Sequence, residues 1–162
     1  RGKAPVKVLF VARNNTRGEL ANWNEHQEIR IISNQDALIA FLAGKCSEEH
    51  FQFKVLEPTS LADLPNGQAQ ALAVNWADVL VGMHGAGLAL SMFLAPPAAV
   101  VEIHKTTGIN VHYRNMAVKL GLSYSTLDIS TPGPVVSDTS MQDLWDKVEQ
   151  AVHDLGRVAE PS

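Results

Sequence analysis

Short apolar runs alternate along this chain with longer amphipathic or polar stretches. The runs typical of buried strands cover residues 7–12, 51–56, 78–81, 99–103 and 124–129. The stretches that predict helices cover residues 33–44, 66–76, 88–94 and 110–120, with a final amphipathic helix over residues 141–155. A polar stretch without a clear period lies between the first strand and the first helix, and we interpret it as a long functional loop.

Capping residues predict where several of these helices begin and end. Ser33 or Asn34 can cap the first helix, and Gly44 can end it. Asn110 can cap the helix before the last strand, and Gly121 can close it.

Strands that alternate with helices predict an α/β fold with a parallel sheet covered on both faces. We expect one Rossmann-like domain over residues 1–162, with about five strands in the order 3-2-1-4-5. Such sheets bind ligands beyond the carboxyl ends of their strands. The polar residues predicted at or just past those ends are Arg13, His84, Glu102, His104 and Asp128.

The turn after the third strand reads His84-Gly85-Ala86-Gly87-Leu88 and leads into a predicted helix. A helix N-terminus offers free N–H groups and a positive dipole end, and glycine lets an anion approach the backbone. We therefore predict that the amides of Ala86 to Leu88 bind a diphosphate, with His84 hydrogen-bonded to a phosphate or a sugar hydroxyl. The alternative is a tight turn that needs glycine for packing alone.

Two arginines and a glutamate complete the site predicted from the residues. Arg13 and Arg17 follow the first strand, and arginine binds phosphate oxygens bidentately. Glu102 ends an apolar strand, where a carboxylate needs partners, and we expect it to accept hydrogen bonds from ribose hydroxyls. The alternatives are solvated loop arginines and a structural salt bridge or helix cap.

The composition limits the chemistry. The 162 residues carry 13 basic and 17 acidic side chains, a net charge of −4 that gives no support for a nucleic-acid surface. The six histidines show no convincing metal-ligand spacing, and no Asp-x-Asp triplet is present to hold a metal on a diphosphate. We therefore expect no metal and no cofactor. The dinucleotide glycine fingerprint is absent, and Cys46 is expected to be a buried apolar residue.

The order of several short motifs resembles glycosyltransferase family 61, which includes plant β-1,2-xylosyltransferase and secretory-pathway O-linked N-acetylglucosaminyltransferases. The motifs are His84-Gly85-Ala86-Gly87-Leu88, Pro96-Pro97, Val100-Val101-Glu102-Ile103, Tyr113-Arg114-Asn115-Met116-Ala117 and Gly121-Leu122-Ser123-Tyr124. Near the start, Arg13-Asn14-Asn15-Thr16-Arg17 and Asn24-Glu25 are similar to the family's arginine-rich segment and Asn-Glu pair. The resemblance runs from about residue 7 to residue 129.

The resemblance implies the C-terminal, donor-binding half of a two-domain transferase of the GT-B type. It implies transfer of a sugar from a nucleotide sugar, with UDP as the expected nucleotide, to a glycan or protein acceptor with inversion. In the family the region of Tyr113 and Asn115 lines the nucleotide-sugar pocket, although spacing alone favours a core role for Tyr113.

We also expect a missing N-terminal acceptor domain, because the chain opens at Arg1 and offers no clear general base. That domain would carry the base and any membrane anchor, so the fragment should bind the donor without turnover. No run here reaches membrane-spanning length and no signal peptide is visible. The resemblance implies the Golgi or endoplasmic reticulum lumen for a eukaryotic protein and the cytoplasm for a bacterial one.

Two other functions remain open at this point. His84-Gly85-Ala86-Gly87 is similar to the oxyanion segment of lipases, and Ser123 lies in a near match to a nucleophile motif. An esterase would therefore use this serine. The other possibility is a non-catalytic interaction domain that kept the fold.

Overall fold

A parallel sheet of five strands forms the centre of the protein. The computed structural model describes residues 4–12, 32–57, 66–104, 111–129 and 135–157. The strands are β1 (Lys7–Val11), β2 (Gln52–Leu56), β3 (Val79–Met83), β4 (Ala99–His104) and β5 (Ser123–Asp128). All neighbouring pairs are parallel, which confirms the predicted α/β, Rossmann-like class.

The strand order is β2-β1-β3-β4-β5, so the predicted order 3-2-1-4-5 is wrong. The physical reason lies in the polarity of two strands. β2 contains Gln52 and Lys54 and is largely exposed, which suits an edge, whereas every residue of β3 is buried. A fully apolar strand gains most between two neighbours, and β3 therefore pairs with both β1 and β4.

Helices cover both faces of this sheet. They are α1 (Gln35–Glu48), α2 (Asn66–Asn75), a 3-10 helix (Ala86–Phe93), α3 (His112–Lys119) and α4 (Asp138–Asp154). On one face, side chains of α1 and α4 such as Leu38 and Trp145 share a hydrophobic core with Phe10 of β1. The other face holds α2, the 3-10 helix and α3, with Leu88 and Ala117 in its core. In the described ranges no helix has the length and apolar character to span a membrane.

Helix α1 begins directly after Asn34, as predicted, but it ends later than predicted. It runs through Gly44 to Glu48, and the chain turns at His50, whose φ is 57°. The continuation places Cys46 in the core, as expected for a buried apolar residue. Burial raises the pKa of the Cys46 thiol to about 12.

The side chain of Asn34 lies at the start of α1 but does not cap it. Its Nδ2 donates to the backbone oxygen of Val136, and the Val136 N–H donates to Asn34 Oδ1, both at 2.8 Å. The pair therefore joins the beginning of α1 to the segment before α4. At the end of α3, Gly121 has a φ of 71°, which confirms the closing glycine. Asn110, the predicted cap, lies outside the described residues.

Asp78 connects the last residues of the described chain to the amino ends of the central strands. Its Oδ2 accepts the backbone N–H of Lys7 at 2.9 Å and a hydrogen bond from Arg157 Nη1 at 2.8 Å. The buried carboxylate thereby has partners from β1 and from the segment that follows α4.

Candidate functional site

A buried carboxylate, Glu102, lies near the carboxyl end of β4, on the face covered by the 3-10 helix and α3. Its register partners are Gly82 on β3 and Thr126 on β5. The side chain of Glu102 has no solvent exposure. Because side chains alternate along a strand, His104 extends from β4 on the same face as Glu102.

Three side chains contact the two oxygens of Glu102. His84 Nδ1 is hydrogen-bonded to Oε1, and His104 Nε2 lies 3.3 Å from the same oxygen. The hydroxyl of Tyr124, on β5, donates to Oε2. Burial, followed by this hydrogen bond, raises the pKa of the Tyr124 phenol above its usual value. Both carboxylate oxygens are therefore engaged inside the protein.

Backbone and ring contacts hold His84 over this carboxylate. Its backbone N–H donates to the oxygen of Ile103 at 2.8 Å, which keeps it beside the end of β4. Its ring stacks on His104 with centroids 4.9 Å apart and planes at 25°. The ring of Tyr113, on α3, meets it edge-on at 5.4 Å. The His84 side chain keeps 15% exposure, so part of it reaches the surface of the site.

The glycine turn forms as predicted, but the helix after it is a 3-10 helix. Gly85 has φ 152° and ψ 179°, a conformation that essentially only glycine adopts. The amide of Leu88 donates to the Gly85 oxygen at 2.9 Å. The prediction that Leu88 offers a free amide to a diphosphate is therefore wrong. In a 3-10 helix the i→i+3 pattern leaves the first amides, those of Ala86 and Gly87, without acceptors inside the helix.

Gly82 allows the 3-10 helix to lie close to the sheet. A Cβ at Gly82 would lie 3.1 Å from Leu88 Cδ2 and 3.3 Å from Val11 Cβ. The absence of a side chain therefore lets Leu88 cover β3 directly. This close approach sets the height of the turn above the strands.

Among the described residues, one group of side chains has possible metal-ligand atoms that all lie within 4.8 Å of one another. It consists of His84, Glu102 and His104. Two histidines and a carboxylate can hold zinc in proteins. Spacing along the chain did not show this cluster, because its members come from neighbouring strands and the turn after one of them. In this structure His84 is hydrogen-bonded directly to the carboxylate of Glu102. We therefore describe the cluster as a hydrogen-bonded network.

A comparison with known proteins identifies the family. The model of the family described as Glycosyltransferase 61 matches residues 2–101. The chain belongs to glycosyltransferase family 61. It is also 35% identical over 108 residues to protein O-linked-mannose β-1,4-N-acetylglucosaminyltransferase 2 of Tetraodon nigroviridis. That match covers 60% of this chain and 17% of the relative, so the chain spans less than a fifth of that protein.

The family match confirms the resemblance for residues 2–101, a region that ends within β4. The match includes the arginines after β1 and the turn at His84, and it stops one residue before Glu102. The family roles of Tyr113 and Asn115 therefore stay predictions. Tyr113 contacts His84, whereas Asn115 is exposed on α3.

Several predicted site residues lie outside the described part of the family 61 chain. These are Arg13, Arg17 and the pair Asn24 and Glu25. Arg13 follows Ala12, the last described residue after β1, and β1 is a direct neighbour of β3. Their roles stay predictions.

Tyr124 was not among the predicted site residues, and His104 was predicted only to lie at the end of a strand. The sequence does contain a pattern that points to these residues, but the pattern is divided between two strands, β4 and β5. Glu102 and His104 are two residues apart on β4, and Tyr124 is the register partner of Val100 on the same face. This pattern becomes visible only once the pairing of β4 with β5 is known.

The esterase alternative does not fit the geometry. Ser123 begins β5 in register with Ala99, the first residue of β4, while His84 follows the far end of β3. At about 3.3 Å per strand residue these positions are separated by roughly 16 Å. Ser123 therefore cannot act with an oxyanion segment at His84.

Proposed function

We propose that this chain is the donor-binding half of an inverting glycosyltransferase that uses a nucleotide sugar, with UDP as the nucleotide. The observation that carries the proposal is the position of His84. It lies at the carboxyl edge of a parallel sheet, beside the glycine turn at the start of the 3-10 helix. Sheets of this kind bind ligands at that edge, and family membership supplies the reaction class.

The donor diphosphate would lie over the turn, on the amides of Ala86 and Gly87, with His84 beside it. Arg13 and Arg17 would approach from the end of β1, the strand next to β3. Fixed donors of this kind stabilise the charge that develops on a leaving diphosphate. Arginines and amides can thereby replace a divalent cation, so the proposed transfer needs neither metal nor cofactor.

The acceptor would be a glycan or glycoprotein, bound with the help of an N-terminal domain of the same protein. The name of the Tetraodon relative gives a β-1,4 transfer of N-acetylglucosamine to O-linked mannose. A β product fits inversion if the nucleotide sugar is α-linked. An inverting attack comes from the face opposite the diphosphate, so the base would lie across the cleft from His84. We propose that this chain alone binds donor without transferring sugar.

Binding of UDP tests the proposal directly. The chain should gain thermal stability from UDP and UDP-sugars, because a ligand that binds the native state raises the melting temperature. GDP and CMP compounds should have smaller effects. Unchanged melting temperature and no heat of binding with millimolar UDP would favour the non-catalytic interaction domain and contradict the proposal.

Substitution of Gly87 locates the nucleotide. Gly87→Val adds bulk where the diphosphate would approach and should abolish UDP binding while circular dichroism stays native. The control is Gly44→Val, which adds the same side chain on α1, where a Cβ meets nothing within 4 Å. A folded Gly87→Val protein that binds UDP like the control would show that the turn is not the diphosphate site.

A further inference from the structure

Asp128 is an exposed carboxylate at the carboxyl end of β5, beside the candidate site. The residue before it, Leu127, is buried in the core under α1 and α4. Because side chains alternate along a strand, Asp128 extends to the other face, the one that carries Glu102 and His104. Among the described residues, no hydrogen bond or ion pair involves the carboxylate of Asp128. Its two oxygens are therefore available to a ligand at this edge of the sheet.

Three neighbouring strands end in a row of polar side chains on this face. The backbone N–H of His84, after β3, donates to Ile103 on β4, and Asp128 on β5 is the register partner of His104. Neighbouring strands lie about 4.8 Å apart, so Asp128 lies roughly 10 Å across the sheet from His84. In an extended nucleoside diphosphate, the terminal phosphate and the ribose hydroxyls are a similar distance apart. A diphosphate on the turn after β3 can therefore place its ribose beside Asp128.

The charges on the two sides of the turn give the direction of the nucleoside. Arg13 and Arg17, the arginines proposed for the diphosphate, follow β1 in the sequence, and β1 pairs with β3 on the side away from β4. At the end of β5 the exposed group is the carboxylate of Asp128. A carboxylate repels phosphate and accepts hydrogen bonds from hydroxyls. The ribose, rather than a phosphate, therefore suits the β5 side of the turn.

Arg114, on the first turn of α3, brings a positive charge to the same region. Burial and the contact with Glu102 raise the pKa of the Tyr124 phenol most; the charge of Asp128 adds to this effect and that of Arg114 opposes it. Both charged groups thus lie near the Tyr124 hydroxyl, although no ion pair among the described residues joins them. The guanidinium reduces the repulsion between Asp128 and a bound diphosphate.

We propose that Asp128 binds the ribose of the donor and accepts hydrogen bonds from its two hydroxyls. The inference rests on the proposed function and places the ribose contact on Asp128 instead of Glu102. The side chain of Glu102 has no exposure and both its oxygens have partners inside the protein, including His84 and Tyr124. Carboxylates at strand ends bind ribose hydroxyls in other nucleotide-binding parallel sheets.

The experiment compares UDP with 2′-deoxy-UDP and 3′-deoxy-UDP, which carry the same charge. By calorimetry, wild type should bind UDP about 10- to 100-fold more tightly than either analogue, the range for a hydrogen bond to a charged group. Asp128→Asn keeps the size of the side chain and should reduce this preference to about threefold or less, because only neutral hydrogen bonds remain. The matched control is Asp143→Asn, an exposed aspartate of α4 on the opposite face, which should keep the wild-type preference.

Arg114→Gln tests whether the contact belongs to Asp128 itself. Loss of the guanidinium should weaken the binding of all three nucleotides by a similar factor and leave the preference for UDP unchanged. If Arg114→Gln abolishes the preference and Asp128→Asn keeps it, the ribose contact belongs to Arg114 and the inference is overturned.

The outcomes separate this inference from the proposed function. If wild type does not bind UDP, the proposed function fails and the ribose contact fails with it. If wild type binds UDP and both deoxy analogues equally well, only the ribose contact fails. A preference that survives in Asp128→Asn would assign the ribose to another residue and overturn the inference. An equal loss of all three nucleotides in a natively folded Asp128→Asn protein would overturn it as well, because the hydroxyls would then not be recognised by this carboxylate.

Discussion

Replacement of Gly82 by alanine should destabilise the protein, although the change adds only one methyl group. The new Cβ would lie 3.1 Å from Leu88 Cδ2 and 3.3 Å from Val11 Cβ. Carbon atoms in contact normally keep about 3.5–4.0 Å, so the neighbours would have to move by roughly 0.2–0.9 Å. Leu88 has no solvent exposure and Val11 belongs to the central sheet, so neither can move freely.

Overpacking of this kind costs about 1–3 kcal/mol. We therefore expect Gly82→Ala to lower the free energy of unfolding by that amount in urea titrations followed by circular dichroism. The slope of the transition should stay constant, because the surface exposed on unfolding hardly changes. UDP affinity should also fall, since a displaced 3-10 helix carries the turn after His84 with it.

Gly44→Ala is the matched control. The same substitution in α1 meets nothing within 4 Å, and alanine is favoured over glycine inside a helix by about 0.5–1 kcal/mol. The two variants should therefore shift the unfolding midpoint in opposite directions. A Gly82→Ala protein as stable as wild type, or more stable, would refute the argument that this glycine is required for close packing.

Two further predictions concern the arginine after β1 and the buried phenol. Arg13→Ala should weaken UDP binding by roughly 1.5–3 kcal/mol, the scale of a charged hydrogen bond, and Arg13→Lys should recover only part; equal calorimetric affinities in wild type and Arg13→Ala would refute this assignment. Because the pKa of Tyr124 is raised in the folded protein, its contribution to stability is complete below pH of about 10, the usual phenol pKa, and is lost as the pH rises beyond it. Urea titrations from pH 8 to 11 should show a steeper loss in wild type than in Tyr124→Phe, and parallel curves would contradict the linkage.

The sequence predicted the central strands well because β1, β3 and β4 are largely apolar runs, and it predicted α4 because the apolar residues of that helix recur at helical spacing. It failed on strand order, although Gln52 and Lys54 in β2 already indicated an edge strand. The polarity of a strand limits its place in the sheet. The alternation of strands and helices does not show to which side of the preceding strand each new strand is added, so it leaves the strand order open. The extension of α1 past Gly44 was missed because a helix can accept an interior glycine when it buries residues such as Cys46 beyond it.

The site could be predicted in part. His84 and Glu102 were found because each is a polar residue at the end of an apolar run. Their direct contact, and the addition of Tyr124, depend on the register between strands, which no single segment encodes. The role of the Leu88 amide was misjudged because a sequence pattern of helical length does not distinguish a 3-10 helix from an α-helix.

The contacts of Asp78 bear on how the protein folds during synthesis. The hydrogen bonds from Lys7 and Arg157 to one carboxylate join β1 to the segment that follows α4. Helix α4, which precedes Arg157, buries Trp145 and Leu144 in the core shared with β1, β3 and β4. While the ribosome still holds α4, only α1 covers that face of the sheet, so the nascent chain can form α1 and the central strands but not the complete core. We therefore expect folding to be completed only after release of the last turn of α4, and removal of residues beyond 137 to leave a collapsed, aggregation-prone chain.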